Sequence, residues 1–342
     1  MKHPPYHLRV NKAIDRFLLI EILDRLKRNG VDLSNYTYYG FGGPFLEDCR
    51  LIHDRCPEIS IVSIEKDRET FKRQKFHCFS KQLELLDGSF KSFLAQFSSR
   101  DGEIFWLDYT NLSLGHFNDF KDVLGKVSEN SIIKITVRAE PAPKELTSEN
   151  RERKWRDFRN RYREEKWEVF QKKYREEKWR DFKEKYHEIL PSKAQPTDIE
   201  ERWSFINLLQ KMLQMASQQA LPALGESIFQ LLDSCYYNDQ TQMLSVTGIV
   251  CNKKEVSEVQ KWFKDLPFIN LTWAEPRRID VPILSIKERL HLEQHTPTLD
   301  RTGHTVSDAL GYKIDNGEKH IEKLKQYEEY YKYYPYFVRV LI

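Results

Sequence analysis

The sequence predicts an α/β protein built on a doubly wound, mostly parallel sheet and interrupted by a helical insertion. Three observations carry this expectation. Between residues 36 and 137, five short apolar runs alternate with stretches of helical periodicity. That is the pattern of a parallel sheet with right-handed crossovers. Within those runs apolar residues fall on consecutive positions, as at Ile132-Ile133, which suits strands covered on both faces. The first run breaks into a glycine turn, Tyr39-Gly40-Phe41-Gly42-Gly43-Pro44, and the second ends in Glu65, 22 residues beyond Gly43. This is the layout of a β-α-β nucleotide site: glycines let the backbone approach the ligand, and an acid about 20 residues on takes the ribose hydroxyls.

The elements follow in order. Ala13–Arg28 reads as an amphipathic helix, because Ile14, Phe17, Leu18, Ile22 and Leu26 recur at intervals of three and four before Gly30. Tyr36–Phe41 is a strand, and Pro44–Cys56 a helix with proline at a favourable first position. Ile59–Glu65 is a strand and Arg68–Phe79 a helix. Leu83–Leu86 is a strand leading into Asp87-Gly88-Ser89, and Phe90–Phe97 a helix. Ile104–Leu107 is a strand ending in Asp108, Phe117–Val127 a helix, and Ser131–Val137 a strand. After the insertion come helices at Glu201–Met215 and Leu221–Leu232 and a strand at Gln242–Val250. A helix at Val256–Leu266, a strand at Phe268–Trp273 and a basic, tyrosine-rich helix near Lys319–Tyr333 follow. The chain thus divides into 1–142 (the opening helix and first five strands), 143–200 (the insertion) and 201–342 (the remaining helices and strands).

The insertion carries a repeat. Lys154-Trp155, Lys166-Trp167 and Lys178-Trp179 each begin a unit with Phe three residues and Tyr seven residues after the Trp, at a period of 12. Inside one unit Trp, Phe and Tyr share a helix face, but successive units in a straight helix turn by 120°. No single apolar stripe can therefore run through all three. Residues 151–190 hold 15 Lys/Arg against 10 Asp/Glu. The tract reads as a solvated helical arm whose aromatics pack locally or on the main domain. The other reading is a surface for a protein partner or nucleic acid, with aromatics stacking among cations.

Composition restricts the remaining classes. The 342 residues can bury a large core, and a net charge of +3 is too small to argue a partner. No apolar run approaches the roughly 18 residues of a membrane span. Five scattered cysteines without C-x-x-C suit reduced thiols in a cytoplasmic protein. Binding to a membrane is not expected. His291, Glu293, His295 and His304 only approximate a metal motif, and no metal is expected.

The ligand expected at the glycine turn is S-adenosylmethionine. A dinucleotide fingerprint needs a third glycine where Phe45 stands, and no phosphate-cradling G-x-x-x-x-G-K-[ST] occurs. Glu47 and Asp48 open the following helix, where they would oppose a pyrophosphate and tolerate a sulfonium better. Tyr39, Gly40, Phe41, Gly42 and Gly43 would form the cofactor turn, with Glu65 on the ribose and Asp87-Gly88-Ser89 at the adenine. Asp108 and Tyr109 end the fourth strand. Asp108 is the candidate base or orienter and Tyr109 a positioning group or lid. The prolines of the Asp-Pro-Pro-Tyr motif of amino-methylating DNA enzymes are missing from Asp108-Tyr109-Thr110-Asn111, so methylation of a base amine is not expected.

Tyr39 to Gly43, Phe45-Leu46-Glu47-Asp48, Ser63-Ile64-Glu65 and Phe105-Trp106-Leu107-Asp108-Tyr109 together resemble the bacterial proteins described as putative O-methyltransferases. Asn11-Lys12-x-x-Asp15-Arg16 and Asp239–Val246 share in the resemblance, which covers the chain except the aromatic insertion. It implies a Rossmann-like class I methyltransferase fold, S-adenosylmethionine as cofactor, an unknown methyl acceptor, and a bacterial setting near antiviral defence. Tyr39 stands where an acid usually precedes the first glycine. The competing expectation is a catalytically inactive sensor or scaffold whose 151–190 arm recruits a protein or nucleic acid.

Overall fold

A computed structural model describes residues 9–100, 102–141, 167–221, 225–298 and 301–335. Its centre is one eight-stranded sheet: β1 (Thr37–Gly40), β2 (Ser60–Glu65), β3 (Leu83–Asp87), β4 (Glu103–Asp108), β5 (Ile132–Arg138), β6 (Ser227–Asn238), β7 (Gln242–Asn252) and β8 (Arg277–Ile279). The order across the sheet is β3-β2-β1-β4-β5-β7-β6-β8. Every neighbouring pair is parallel except those made by β7, which runs against both β5 and β6. The order reverses between β1 and β4, the place where open α/β sheets leave a crevice at the carboxyl ends of their strands.

Helices cover both faces. On one lie α1 (Val10–Arg28), α2 (Glu47–Arg55), α8 (Val256–Phe263), α9 (Ile286–Glu293), α10 (His304–Leu310) and α11 (Glu318–Tyr330), around a core with Ile14, Leu18, Ile22, Tyr38, Trp106, Phe263 and Leu324. The other face carries α4 (Phe90–Gln96), α5 (Leu114–Leu124), α6 (Trp167–Tyr186) and α7 (Arg202–Ala220), packed on Tyr39, Phe105, Ile133, Ile135 and Val246. α3 (Arg68–His77) connects β2 to β3. Two-sided burial explains the consecutive apolar residues: β5 is buried at every position from Ile132 to Val137.

The five parallel strands and the helices between them form where the periodicity places them, with ends shifted by one to three residues. Three segments differ. Leu221–Leu232 was expected as a helix, but Ser227 onward is strand β6, and Leu221 ends α7. β6 is buried on both sides, and a bulge between Leu231 and Asp233 breaks its alternation. Its apolar residues therefore imitate helical spacing. Phe268–Trp273 is not a strand. Phe268 is a fully buried plug set edge-on to Tyr333, and Asn270 turns the chain by accepting from the Thr272 N–H. The short strand comes later, at Arg277–Ile279, paired with β6. Finally, α2 begins at Glu47 rather than Pro44, because Leu46 takes a left-handed conformation (φ 56°) that ends the glycine turn.

In the insertion, the third repeat unit docks on the core. Phe182 lies 4.6 Å from Tyr186 and 6.1 Å from Phe205, Tyr186 packs edge-on to Phe117 at 6.0 Å, and Trp179 stacks beside Phe182. The Trp, Phe and Tyr of this unit therefore share one face, as the period requires. Of the second unit, Tyr174 is half-buried with the Lys178 ammonium 4.3 Å from its ring centre. The first unit, with Trp155, lies outside the described residues.

Candidate functional site

The parallel register brings the expected loops to one edge. Gly40 of β1 pairs with Ser63 of β2 and Trp106 of β4, and Glu65 pairs with Asp87. The glycine turn, Glu65, Asp87 and Asp108 therefore leave the sheet side by side.

The turn needs its glycines for two different reasons. Gly42 (φ 64°) has no space: an added Cβ would lie 2.5 Å from Ser63 Oγ and 2.8 Å from Leu46 Cδ2. Gly43 (φ 56°) faces open space. The turn is tied from below by Gln74 of α3, whose Nε2 donates to the carbonyls of Phe41 (2.8 Å) and Gly43 (2.9 Å). Ser63 Oγ lies 3.3 Å from the Phe41 carbonyl oxygen and 3.2 Å from Gln74 Oε1. Gln74 is fully buried. Nothing in the sequence marks this mid-helix glutamine as part of the site.

Beside the turn, Glu65 is half-buried and Asp87 exposed. Glu65 Oε1 accepts from the Asp67 N–H at 2.8 Å, while its backbone carbonyl accepts from Gly88 N–H at 3.0 Å. Ser89 caps α4, its hydroxyl oxygen accepting from Ser92 N–H. Tyr39 points the other way, into the α4 side of the core. Its ring stacks on Phe105 at 4.7 Å and touches Phe93 and Phe97. Its neighbour Tyr38 is almost fully buried on the α1 face, and burial, with Asp48, Cys49 and Asp108 nearby, raises its hydroxyl well above the ordinary value. A groove of about 710 Å³ beside Tyr39, Phe93 and Phe97 also touches Thr37 and Ser60. These begin β1 and β2, so it lies away from the strand-end loops.

Asp108 meets α1. Its Oδ2 is ion-paired with Lys12 Nζ, and its Oδ1 is a buried atom with no hydrogen-bond partner among the described residues. The first turns of α1 bury four polar residues, Asn11, Lys12, Asp15 and Arg16, and each reaches a different element. Asp239 in the β6–β7 turn accepts from the backbone N–H groups of Asn11 (3.2 Å) and Lys12 (2.8 Å), capping the helix. Asn11 Oδ1 accepts from Val281 N–H. Asp15 pairs with Lys134 of β5 at 2.6 Å, both fully buried. Burial alone would lower the Lys134 pKa, but Asp15 and Cys235 outweigh it and the net shift is upward. Arg16 is ion-paired with both Asp48 and Glu47, which raise it against the opposing effect of burial. Asp239 and the start of α1, separate in sequence, are thus one contact.

Tyr109 turns to the α5 side. Its ring lies 5.3 Å from Phe41 and stacks on His116 at 3.7 Å, and its hydroxyl donates to Asp119 at 2.6 Å. Burial, with Lys66 and Lys185 near, pushes His116 down to about 4 against a backbone hydrogen bond to Asn111. The His291 and His295 rings lie 4.9 Å apart and bond to backbone carbonyls. Among the described residues no cluster of His, Cys, Asp and Glu is arranged to hold a metal, and no helix is long and apolar enough to cross a membrane.

Several solved structures are similar to this chain in part of their course, two methyltransferases among them. The plantazolicin methyltransferase BpumL is 10% identical over 69% of this chain and 85% of its own, with a TM-score of 0.36. The 16S rRNA (adenine(1408)-N(1))-methyltransferase of Catenulisporales acidiphilia is 10% identical over 68% of this chain and 92% of its own, TM-score 0.32. The match to the fibrillarin/Nop5p complex spans 58% of that chain and 34% of this one, with 12% identity and a TM-score of 0.27. No curated protein matches the sequence. A family described as "Putative O-methyltransferase" matches residues 4–342, nearly the whole chain, and the protein belongs to that family.

Proposed function

We propose that the protein is an S-adenosylmethionine-dependent methyltransferase that acts on an oxygen acceptor. The observation that carries this reading is Asp108, part-exposed at the end of β4 beside the glycine turn, at the point where the strand order reverses. The residues fit the cofactor. Gly43 leaves open space at the turn, and Glu65, half-buried on the adjoining strand end, is placed to accept hydrogen bonds from a ribose diol. Glu47 and Asp48 supply two negative charges at the start of α2, and the single guanidinium of Arg16 offsets one of them. That arrangement favours a zwitterionic ligand over a pyrophosphate.

When bound, the cofactor supplies an electrophilic methyl group on a sulfonium. The chain's own part is to hold the acceptor, exclude water and take a proton. Asp108 is the group for the last of these, its carboxylate receiving the proton of an acceptor hydroxyl as that oxygen bonds to carbon. Tyr109 walls the crevice with its ring, since its hydroxyl is engaged by Asp119. Titration calorimetry with S-adenosylmethionine and S-adenosylhomocysteine tests the reading. Micromolar binding that Glu65→Ala weakens at least about tenfold supports it. Binding of neither ligand sinks it.

A second reading concerns the insertion. Lys172, Lys173, Arg175, Arg180, Lys183 and Lys185 are exposed on α6, a surface suited to an acidic partner or nucleic acid. Replacing Lys172, Lys183 and Lys185 by Glu would abolish salt-sensitive binding to single-stranded RNA if that surface is used. Unchanged binding would exclude it.

A further inference from the structure

α3 buries one side and leaves an aromatic, basic one in water. Phe71 and Gln74 are buried beneath the helix. Opposite them Glu69, Lys72, Arg73 and Phe76 follow at i, i+3, i+4 and i+7, a single stripe. The Phe76 ring is 85% exposed, and among the described residues no other aromatic side chain is as bare. Such exposure is unfavourable unless a ligand covers it. Phe76 meets His77 edge-on at 5.2 Å, and His77 meets Phe45 at 5.2 Å. Phe45 directly follows Gly43-Pro44, so the patch runs from α3 to the segment that carries the glycine turn.

Cations lie among these rings. Residues 66–81 hold six Lys/Arg against two Asp/Glu, in a chain whose whole net charge is +3. The Arg73 guanidinium lies 4.6 Å from the Phe45 ring centre, and that of Arg50 lies 4.5 Å from Phe79. Arg50 is held there by donating to the His77 carbonyl at 2.7 Å. Lys72 is paired with Glu69 at 2.6 Å. Arg50, Arg68, Arg73 and Lys75 are exposed, with no carboxylate partner among the described residues. A two-fold contact with a second copy of the chain would set these like charges against one another. A nucleic-acid single strand matches both features: its bases stack on rings and guanidinium planes, and its phosphates meet the unpaired cations. In a duplex the bases are stacked on one another instead.

We propose that the α2–α3 face, with Phe76 at its centre, is a docking surface for single-stranded RNA. DNA shares the bases and phosphates, but only RNA carries a hydroxyl on each ribose, the acceptor chemistry proposed for the adjoining crevice. The choice of RNA rests on the methyltransferase reading; the stacking and charge of the surface do not.

Fluorescence anisotropy of a labelled oligoadenylate, about twelve nucleotides long, tests this on the full chain. We expect micromolar binding at low salt. Phe76→Ser should weaken it about tenfold, the effect of losing one base stack. Replacing Arg73 and Lys75 together by Ala should lower the slope of log Kd against log salt by about 1.4, two phosphate contacts at about 0.7 each. Urea midpoints of both variants should match the parent's, so that lost binding reports the surface and not the fold. Parent-like affinity in Phe76→Ser overturns the proposal, as does failure of the parent to bind the oligonucleotide. Equal affinity for a duplex of the same length overturns the stacking account, and equal affinity for the DNA strand overturns the choice of RNA. Self-association that Phe76→Ser abolishes would give the face to a second copy of the chain and overturn the proposal. RNA binding without any binding of S-adenosylmethionine or S-adenosylhomocysteine would support the surface and sink the cofactor reading alone.

Discussion

Alanine at Gly42 should cost chiefly stability, and alanine at Gly43 chiefly ligand affinity. Both residues adopt positive φ, 64° and 56°, so each alanine carries the left-handed penalty of about 1 kcal/mol. At Gly43 nothing else is met within 4 Å. At Gly42 the new methyl would overlap Ser63 Oγ and Leu46 Cδ2. Moving Ser63 disturbs its contacts with Phe41 and Gln74, about 1 kcal/mol. Displacing Leu46, which is fully buried, adds roughly 1 to 2 kcal/mol of overpacking. Gly42→Ala should therefore destabilise by about 3 to 4 kcal/mol and Gly43→Ala by about 1, read as shifts in urea midpoint at constant m. Affinity should invert the order of severity per unit of stability lost. Gly43→Ala folds but fills the open side of the turn, and its S-adenosylhomocysteine binding should fall about tenfold. Equal destabilisation by the two alanines would refute the steric account of the turn. Unaltered binding by Gly43→Ala would refute the placement of the ligand.

Three further outcomes follow from the packing. Lys134→Met leaves Asp15 buried and unpaired and should cost about 3 to 5 kcal/mol. Adding Asp15→Leu should return most of it, and strict additivity in the double-mutant cycle would contradict the pairing. His116 is held neutral, with its pKa lowered from 6.5 to about 4. Its contribution is therefore complete above pH 6.5 and is lost as pH falls toward 4, because the unfolded state binds the proton first. Urea midpoints of the parent should fall more steeply across that window than those of His116→Gln, and parallel profiles would contradict a buried neutral imidazole. Phe182→Ala should cost about 2 kcal/mol by removing the ring between Tyr186 and Phe205. Tyr174→Ala, in the preceding repeat, should cost less than half as much in thermal unfolding, and equal losses would mean the third unit is not the anchor.

The first five strands were legible because each is a continuous apolar run bounded by glycine or a polar turn, and a parallel sheet leaves that imprint. β6 was not, because two-sided burial and the bulge at Leu231–Asp233 erase the alternation that separates strand from helix. That the glycine turn, Glu65, Asp87 and Asp108 leave the sheet at neighbouring strand ends could be read from their spacing. The groups that hold them could not. Gln74 is one glutamine on an otherwise ordinary helix, and its meaning lies in two backbone carbonyls folded over it. Lys12 and Arg16 precede or interrupt the apolar stripe of α1, so periodicity assigns them to solvent. Only the partners brought up by β4 and α2 reverse that assignment.

The partners of α1 also set an order of events. They stand 96 residues away at Asp108, 119 at Lys134, 228 at Asp239 and 270 at Val281. Contacts of such separation close late, since a long loop must be ordered before any of them forms. A chain emerging from the ribosome delivers this helix long before its last hydrogen-bond partner named here, Val281. Until then Ile14, Leu18 and Ile22 have no finished surface to rest on, and Lys12 has no fixed direction. The crevice is consequently completed only after residue 281 has been made, and a nascent fragment ending before β6 would carry the glycine turn without the Asp239 cap on α1.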